Sequence, residues 1–212
     1  MLQRVWQSAM IRLARSPGVT RFMQRNRATS RLARKFVAGT DAAEAVKVAG
    51  ELSSAHGIRS SFYYLGEYVD RGELVAENVA SKLAVIERLQ HTSLDIHVSV
   101  DPTQIGQSLD PSLVRTNAVR IAERHRRAAA DRPGVHCMML DMEDASVVDA
   151  TIALHDELKR IRFPVALTLQ AHLKRTASDL RADLSSHLEA LKPGEVSAVF
   201  ALDGRWAIVK RK

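Results

Sequence analysis

The feature that most constrains the fold is a regular alternation of short apolar runs and longer amphipathic stretches between residues 40 and 191. The short runs have the length of strands. The longer stretches repeat their apolar residues every three or four positions, which is typical of a helix packed on one face. Four successive strand and helix pairs predict a parallel sheet with right-handed crossovers, and therefore an α/β fold.

The alternation also predicts where each element lies. Strands are expected at Arg59–Leu65, Asp95–Val100, Val135–Leu140 and Val165–Leu169. Helices are expected at Asp41–His56, Asp70–Gln90, Pro111–Ala130, Ala145–Ile161 and Thr176–Leu191. Asp110 and Asp144 precede two of these helices and are predicted to cap them. Tyr63 and Tyr64 are adjacent in the first strand, so one of them is expected to face the core.

Composition supports a single packed domain that lacks metal and disulfide chemistry. The chain has 212 residues, of which 46% are hydrophobic, which is enough to bury a core. Its single cysteine, Cys137, lies in an apolar run and is expected to be a buried thiol in a reducing compartment. The eight histidines are scattered, without the paired spacing of a metal site, so no metal is expected.

Positive charge is concentrated at the amino terminus. Residues 1–40 contain nine Arg and Lys and no acid, and the rest of the chain is nearly neutral. The pattern predicts two basic amphipathic helices broken at Pro17-Gly18. They suit a helical pair packed on the domain, a membrane-surface anchor, a nucleic-acid arm or an organellar transit peptide. Nucleic acid is the least favoured, since no binding motif is recognisable, and no such partner is expected.

Two features of the sequence bear on localisation. No run of 18 apolar residues exists, so a spanning helix is not expected, and no apolar signal-peptide core precedes a small-residue cleavage site. We therefore expect a cytoplasmic protein, with peripheral contact to the inner membrane surface as the alternative that the basic amino terminus leaves open.

Polar residues follow each predicted strand, at the edge where parallel α/β sheets and barrels bind ligands. They include Asp101 after the second strand, Asp141 after the third and Gln170 after the fourth. Asp141 ends an apolar strand, and a carboxylate in that position needs a partner or a ligand. Asp141 and Gln170 are therefore the main site candidates, with a purely structural hydrogen bond as the alternative for each.

Five segments carry a resemblance to a known family. They are LARKFVAG at 32–39, YLGEYV at 64–69, VSVDPTQIG at 98–106, LDMEDASVVDAT at 140–151 and LTLQAHLKRT at 167–176. Their order and spacing resemble those of the monofunctional bacterial proline dehydrogenases, over residues 30–184. The resemblance implies the first half of a (β/α)₈, TIM-like barrel that carries FAD and passes a hydride from proline to it, giving pyrroline-5-carboxylate. Electrons would then pass to a membrane quinone.

The resemblance also implies roles for single residues. Asp141 matches the family's aspartate near flavin and substrate, and Gln170 matches the glutamine that contacts the flavin ring. Asp101 stands where the family has a lysine that helps to hold the substrate carboxylate, so it enters the predicted catalytic site with reversed charge. The family's later arginines, which bind flavin and substrate, have no counterpart in this sequence.

The resemblance divides the chain into three predicted segments. Residues 1–56 are basic helices, residues 57–190 a half barrel of about four βα units, and residues 191–212 a β-hairpin. The hairpin is similar to the closing hairpin of parvulin-type prolyl isomerases, although a degraded fifth barrel strand is an alternative. Four strands in an open arc leave two unpaired edges, so homo-oligomerisation is expected, two copies supplying eight strands.

Two functions remain open from the sequence. The first is a proline dehydrogenase-like flavoprotein, with L-proline as its substrate and FAD as its cofactor. The second is a truncated, non-catalytic relative that acts as an interaction or structural module. The retained Asp141 and Gln170 favour the first hypothesis, and the inverted charge at Asp101 favours the second.

Overall fold

Short parallel strands alternate with helices along the chain, as the sequence predicts. The computed structural model describes residues 36–65, 69–143, 145–170, 173–179, 200–202 and 205–207. The helices are α1 Ala42–His56, α2 Gly72–Leu89, α3 Pro111–Ala129, α4 Val148–Arg160 and α5 Thr176–Asp179, with a short 3-10 helix at Pro102–Ile105. The strands are β1 His97–Val100, β2 Cys137–Leu140, β3 Val165–Leu167, β4 Phe200–Leu202 and β5 Arg205–Ala207.

The central sheet is parallel and has the order β1-β2-β3. The first strand predicted from the sequence, Arg59–Leu65, is reduced to a single parallel bridge between Phe62 and Val98. At this bridge the Phe62 N–H donates to the His97 carbonyl at 2.9 Å, and the Ser99 N–H donates to the Phe62 carbonyl at 2.8 Å. Strand neighbours in space are thus neighbours in sequence, which is the order of a singly wound barrel.

The register of the sheet sorts its side chains onto two faces. Val98 lies opposite Met138, which in turn lies opposite Val165, and all three are buried in one core with α2, α3 and α4. Alternate residues point the other way. Cys137 lies on that second face and is half-buried, so the expectation of a core thiol was only partly correct.

Capping explains where α1 and α3 begin and where α1 ends. The Asp41 carboxylate accepts from the Ala43 and Glu44 N–H groups, and Gly57 ends α1 at a φ of 66°, which favours glycine. Asp110 caps α3 as predicted, since its carboxylate accepts from the Ser112 N–H at 2.7 Å. Helix α4 begins at Val148, three residues later than expected, with Val147 in the cap position and no side-chain cap, and the predicted cap Asp144 lies outside the described residues.

Several sequence predictions fall partly or wholly outside the described residues. The basic helical pair lies within residues 1–35, and most of the last predicted helix lies within residues 180–191. Strands β4 and β5 pair antiparallel and confirm a carboxyl-terminal hairpin. The division into segments 1–56, 57–190 and 191–212 stays a prediction. Among the described helices, none combines the length and apolar character that a membrane span requires.

The buried face of α4 gives a direct test of this packing. Leu158 is fully buried, so Leu158→Ala should lower the free energy of unfolding by about 2–5 kcal/mol through lost burial and a residual cavity. Leu52 on α1 is 37% exposed and is the matched control, since Leu52→Ala leaves little cavity. Chemical denaturation of both variants measures the difference, and equal losses would contradict the placement of α4 against the core.

Candidate functional site

The three site residues predicted from the sequence lie beyond the carboxyl ends of adjacent strands. Asp101 directly follows β1, Asp141 directly follows β2 and Gln170 lies three residues beyond β3. The parallel register continues through this region, since the Asp141 N–H donates to the Val100 carbonyl at 3.0 Å. The sheet therefore gathers all three at one edge, called here the mouth of the sheet.

Asp101 is almost completely buried and is bonded within the protein. Its side chain is 4% exposed, and its Oδ2 atom accepts from the Tyr63 hydroxyl at 2.5 Å and from the Gln104 amide nitrogen at 3.0 Å. Neither Tyr63 nor its neighbour Tyr64 belongs to the core, since they are 42% and 37% exposed. The expectation of a core tyrosine was therefore wrong, because the Tyr63 hydroxyl is instead drawn to a buried carboxylate.

The burial of Asp101 shifts its protonation. The pKa of this carboxyl is raised to about 6, mainly by desolvation, and the nearby negative charges of Glu143 and Asp141 contribute to the rise. The Tyr63 hydrogen bond and the charge of Lys82 act against that rise in pKa. Asp101 is thus a carboxyl that exchanges its proton near neutral pH.

Lys82 on α2 is a mouth residue that sequence reasoning missed. It is 2% exposed, and its Nζ donates to Gln104 Oε1 at 2.5 Å and lies 5.7 Å from the centre of the Tyr64 ring. The available signal was its position, since Lys82 stands between Val79 and Ile86 on the apolar stripe of α2. A lysine on a buried stripe is rare unless it is paired.

Burial also shifts the protonation of Lys82. Desolvation outweighs the opposing charges of Asp101 and Asp141, so the pKa of its ammonium is lowered to about 8. Gln104 connects the two shifted groups, since its amide oxygen accepts from Lys82 and its amide nitrogen donates to Asp101. The mouth therefore contains a lysine and an aspartate that are both close to exchanging protons at neutral pH.

Asp141 and Gln170 are joined through the ends of β2 and β3. The Thr168 hydroxyl accepts from the Met142 N–H at 2.8 Å and lies 3.4 Å from Asp141 Oδ1. The Gln170 amide nitrogen donates to the Met142 carbonyl at 3.3 Å, and the Thr176 hydroxyl donates to the Gln170 carbonyl at 2.6 Å. These bonds fix the two candidates in neighbouring positions, with Asp141 half-buried.

Glu143 is a second residue to which the sequence assigned no role. Its Oε2 accepts from the Thr103 N–H at 3.0 Å, and its Oε1 accepts from the Thr103 hydroxyl. These bonds tie the 3-10 helix after β1 to the segment after β2. No group of three or more metal-ligating side chains occurs among the residues that the structure describes.

An α/β sheet with polar residues collected at its carboxyl edge is the arrangement of (β/α) barrels, a class of proteins that bind their ligands at this edge. Sequence comparison relates this chain to a specific group of proteins. The chain is 27% identical over 174 residues to proline dehydrogenase 2 of Bacillus subtilis (strain 168), which covers 81% of this chain and 52% of that protein. It is 30% identical over 166 residues to proline dehydrogenase 1 of Bacillus subtilis subsp. natto, covering 76% and 51%.

Structural comparison agrees on the fold. The crystal structure of proline utilization A (PutA) from Bdellovibrio bacteriovorus, inactivated by N-propargylglycine, matches with a TM-score of 0.55. The match has 18% identity and covers 71% of this chain and 18% of that one, so it shows the fold alone. No protein-family model matches. The chain is homologous to bacterial proline dehydrogenases and spans about half the length of the curated relatives it matches.

The raised pKa of Asp101 predicts a pH-dependent stability. A carboxyl that holds its proton more tightly in the folded protein favours folding below its unfolded pKa of 3.8, and that contribution is lost as pH rises through about 6. Asparagine does not ionise, so Asp101→Asn does not lose stability in this way. Its free energy of unfolding relative to that of the wild type should therefore rise by up to about 3 kcal/mol between pH 4 and pH 7. Urea unfolding at intervals across this range measures it.

The exposed cap Asp110 provides the control with opposite sign. The hydrogen bond from the Ser112 N–H, and to a smaller extent the one from the Ser112 hydroxyl, lower the pKa of Asp110. The contribution of Asp110 to stability is therefore lost as pH falls through that lowered value. Asp110→Asn should therefore become less stable relative to the wild type as pH rises from that lowered value to the ordinary value of 3.8, and the difference should stay level at higher pH. A flat difference for Asp101→Asn would contradict the burial of an ionisable carboxyl at the mouth.

Proposed function

We propose that this chain is a proline dehydrogenase-like flavoprotein, which oxidises L-proline to pyrroline-5-carboxylate by hydride transfer to FAD. The proposal rests on the position of Asp141 and Gln170 at neighbouring strand ends, in a chain homologous to two proline dehydrogenases. Because the chain spans about half the length of those relatives, the activity, the substrate and the cofactor are all part of the proposal.

The groups at the mouth fit a flavin. A flavin ring offers alternating hydrogen-bond donors and acceptors along its edge, and the amide of Gln170 offers both kinds of partner. The bond from Gln170 to the Met142 carbonyl restricts the rotation of this amide and so orients it in advance. In the proposal Gln170 and Asp141 hold the cofactor, and bound FAD supplies the hydride acceptor.

The remaining steps belong to the protein's own side chains. Asp141, beside Thr168, provides a carboxylate that can accept a hydrogen bond from the amine of proline. The apolar core beneath the strand ends excludes water from one side of this position, which strengthens such contacts. In the proposal Asp141 is the catalytic residue, and Asp101 is a charged neighbour that affects how substrate binds.

One observation favours the second candidate function, that of a non-catalytic relative that acts as an interaction or structural module. Asp101 is 4% exposed, and both its tyrosine and its glutamine contacts hold it inside the protein. Where the resemblance implies a lysine for the substrate carboxylate, this chain therefore has a negative group in a structural network. Flavin reduction by proline distinguishes the two functions.

Partner and localisation proposals follow from the same relationship. A membrane quinone is the proposed electron acceptor, and the cytoplasm, with peripheral contact to the inner membrane surface, is the proposed location. The similarity of the carboxyl-terminal hairpin to parvulin-type isomerases stays a prediction, with no isomerase activity proposed.

The cofactor proposal has a visible test. Purified protein incubated with FAD and desalted should be yellow, and anaerobic L-proline should bleach the flavin band. Gln170→Leu should reduce FAD retention, because it removes both amide contacts, whereas Asp141→Asn should retain more flavin than Gln170→Leu and lose proline-dependent bleaching by at least about 100-fold. Absorption spectra report both quantities. A colourless protein that does not retain added FAD would overturn the flavoprotein proposal and leave the second candidate.

Self-association is the second part of the proposal that can be measured. Phe62, β1, β2 and β3 form an arc of four strand positions, so two copies supply the eight strands of a barrel. Sedimentation should show a dimer. Ala166→Lys places a charge on the sheet face opposite the helices and should shift the protein toward monomer, whereas Ala153→Lys on the exposed side of α4 should not. A monodisperse wild-type monomer would contradict this.

A further inference from the structure

The buried ammonium of Lys82 has hydrogen-bonding capacity that the described protein does not use. A lysine ammonium has three N–H donors. Among the described residues, its one hydrogen-bond acceptor is Gln104 Oε1 at 2.5 Å, and the Tyr64 ring at 5.7 Å is its other contact. No carboxylate in the described ranges pairs with it directly. Two donors of a side chain that is 2% exposed are therefore left for another acceptor.

This arrangement is costly without a further partner. A buried charge is normally paired and hydrogen-bonded, because desolvation is repaid only by close contacts of opposite charge. The nearest such group in the network, Asp101, is separated from Lys82 by the amide of Gln104, which bonds to both. Gln104 is fully buried, and its amide bonds to Lys82 through the oxygen and to Asp101 through the nitrogen.

We propose that the Lys82 ammonium receives the carboxylate of a small-molecule ligand at the mouth of the sheet, and that Gln104 positions it by keeping Asp101 at a distance. This inference rests on the proposed function, in which the ligand is an amino acid. The proposal places the positive charge that binds the ligand on helix α2, at Lys82. The end of β1 instead carries the negative residue Asp101. The half-exposed Tyr63 and Tyr64 accept hydrogen bonds from Gln104 through the Tyr63 hydroxyl and the Tyr64 carbonyl, so in this proposal the ligand enters beside them.

The charges around this network predict how ligand affinity responds to change. Asp101 is faced by Tyr63 from the edge segment, by Lys82 from α2, by Gln104 from its own 3-10 helix and by Asp141 and Glu143 from beyond β2. The negative charges of Asp101, Asp141 and Glu143 repel a ligand carboxylate that approaches Lys82. Neutralising Asp101 removes one of them, so carboxylate binding should strengthen.

The test compares L-proline with pyrrolidine, which has the same ring and amine without the carboxylate. Dissociation constants are measured by ligand-observed NMR titration on the full chain, with FAD added. Lys82→Met keeps an unbranched apolar side chain and removes the charge, so the buried site should remain folded. Lys47→Met is the matched control, because Lys47 lies on α1 with a side chain that is 77% exposed. Thermal unfolding verifies that each variant is folded.

Lys82→Met should weaken proline binding at least about tenfold and leave pyrrolidine binding within about twofold. Asp101→Asn should tighten proline binding about tenfold at pH 7.5, and this gain should shrink as pH falls below about 6, where Asp101 becomes protonated in the wild type. Lys47→Met should change neither ligand. This pattern supports the assignment even if proline fails to bleach the flavin, a failure that overturns the proposed function alone.

Three results would overturn the assignment. One is a wild-type protein that does not bind proline, and another is a Lys82→Met variant that loses proline and pyrrolidine equally. The third is an Asp101→Asn variant that binds proline no better than the wild type does. Each of the last two can occur in a protein whose flavin is reduced by proline, so the assignment can fail while the proposed function stands.

Discussion

The parallel register of β1, β2 and β3 is the constraint on which the rest of this structure depends. It aligns Val100, Leu140 and Leu167 on the face that packs against the helices. The same alignment carries the chain onward so that Asp101 and Asp141 leave their strands side by side. A slip of one residue would turn each strand over and send these carboxylates and their apolar neighbours to the wrong faces. The core and the mouth are therefore specified by one set of backbone hydrogen bonds.

The mouth combines groups that are expensive to bury. Lys82 and Asp101 lie within one hydrogen-bonded network but are joined through Gln104 rather than in direct contact. Burial moves both pKa values toward neutrality, to about 8 and about 6, because each site disfavours its charged form. Groups with pKa values shifted in this way are found where binding or chemistry takes place.

Homology and geometry bear on different questions. The similarity to two proline dehydrogenases establishes descent, and the structural match establishes a fold related to part of a larger enzyme. Neither describes the charge at the end of β1, where Asp101 lies inside a network with Tyr63. Function is a property of the site rather than of the fold. The substrate is therefore inferred from the arrangement of Lys82, Asp101 and Asp141.

The sequence by itself determined the α/β class, the order of strands and helices, the cap at Asp110 and the strand ends that carry Asp101, Asp141 and Gln170. Periodicity and capping are local properties, and the residues that produce them are close together in the chain. Only the tertiary structure showed that the first strand shrinks to a bridge at Phe62, that α4 starts at Val148, and that Lys82 reaches the mouth. Lys82 and Gln104 are 22 positions apart, and their contact depends on how α2 packs against the segment after β1. No local pattern encodes that packing, so the cation at the mouth was visible only after folding.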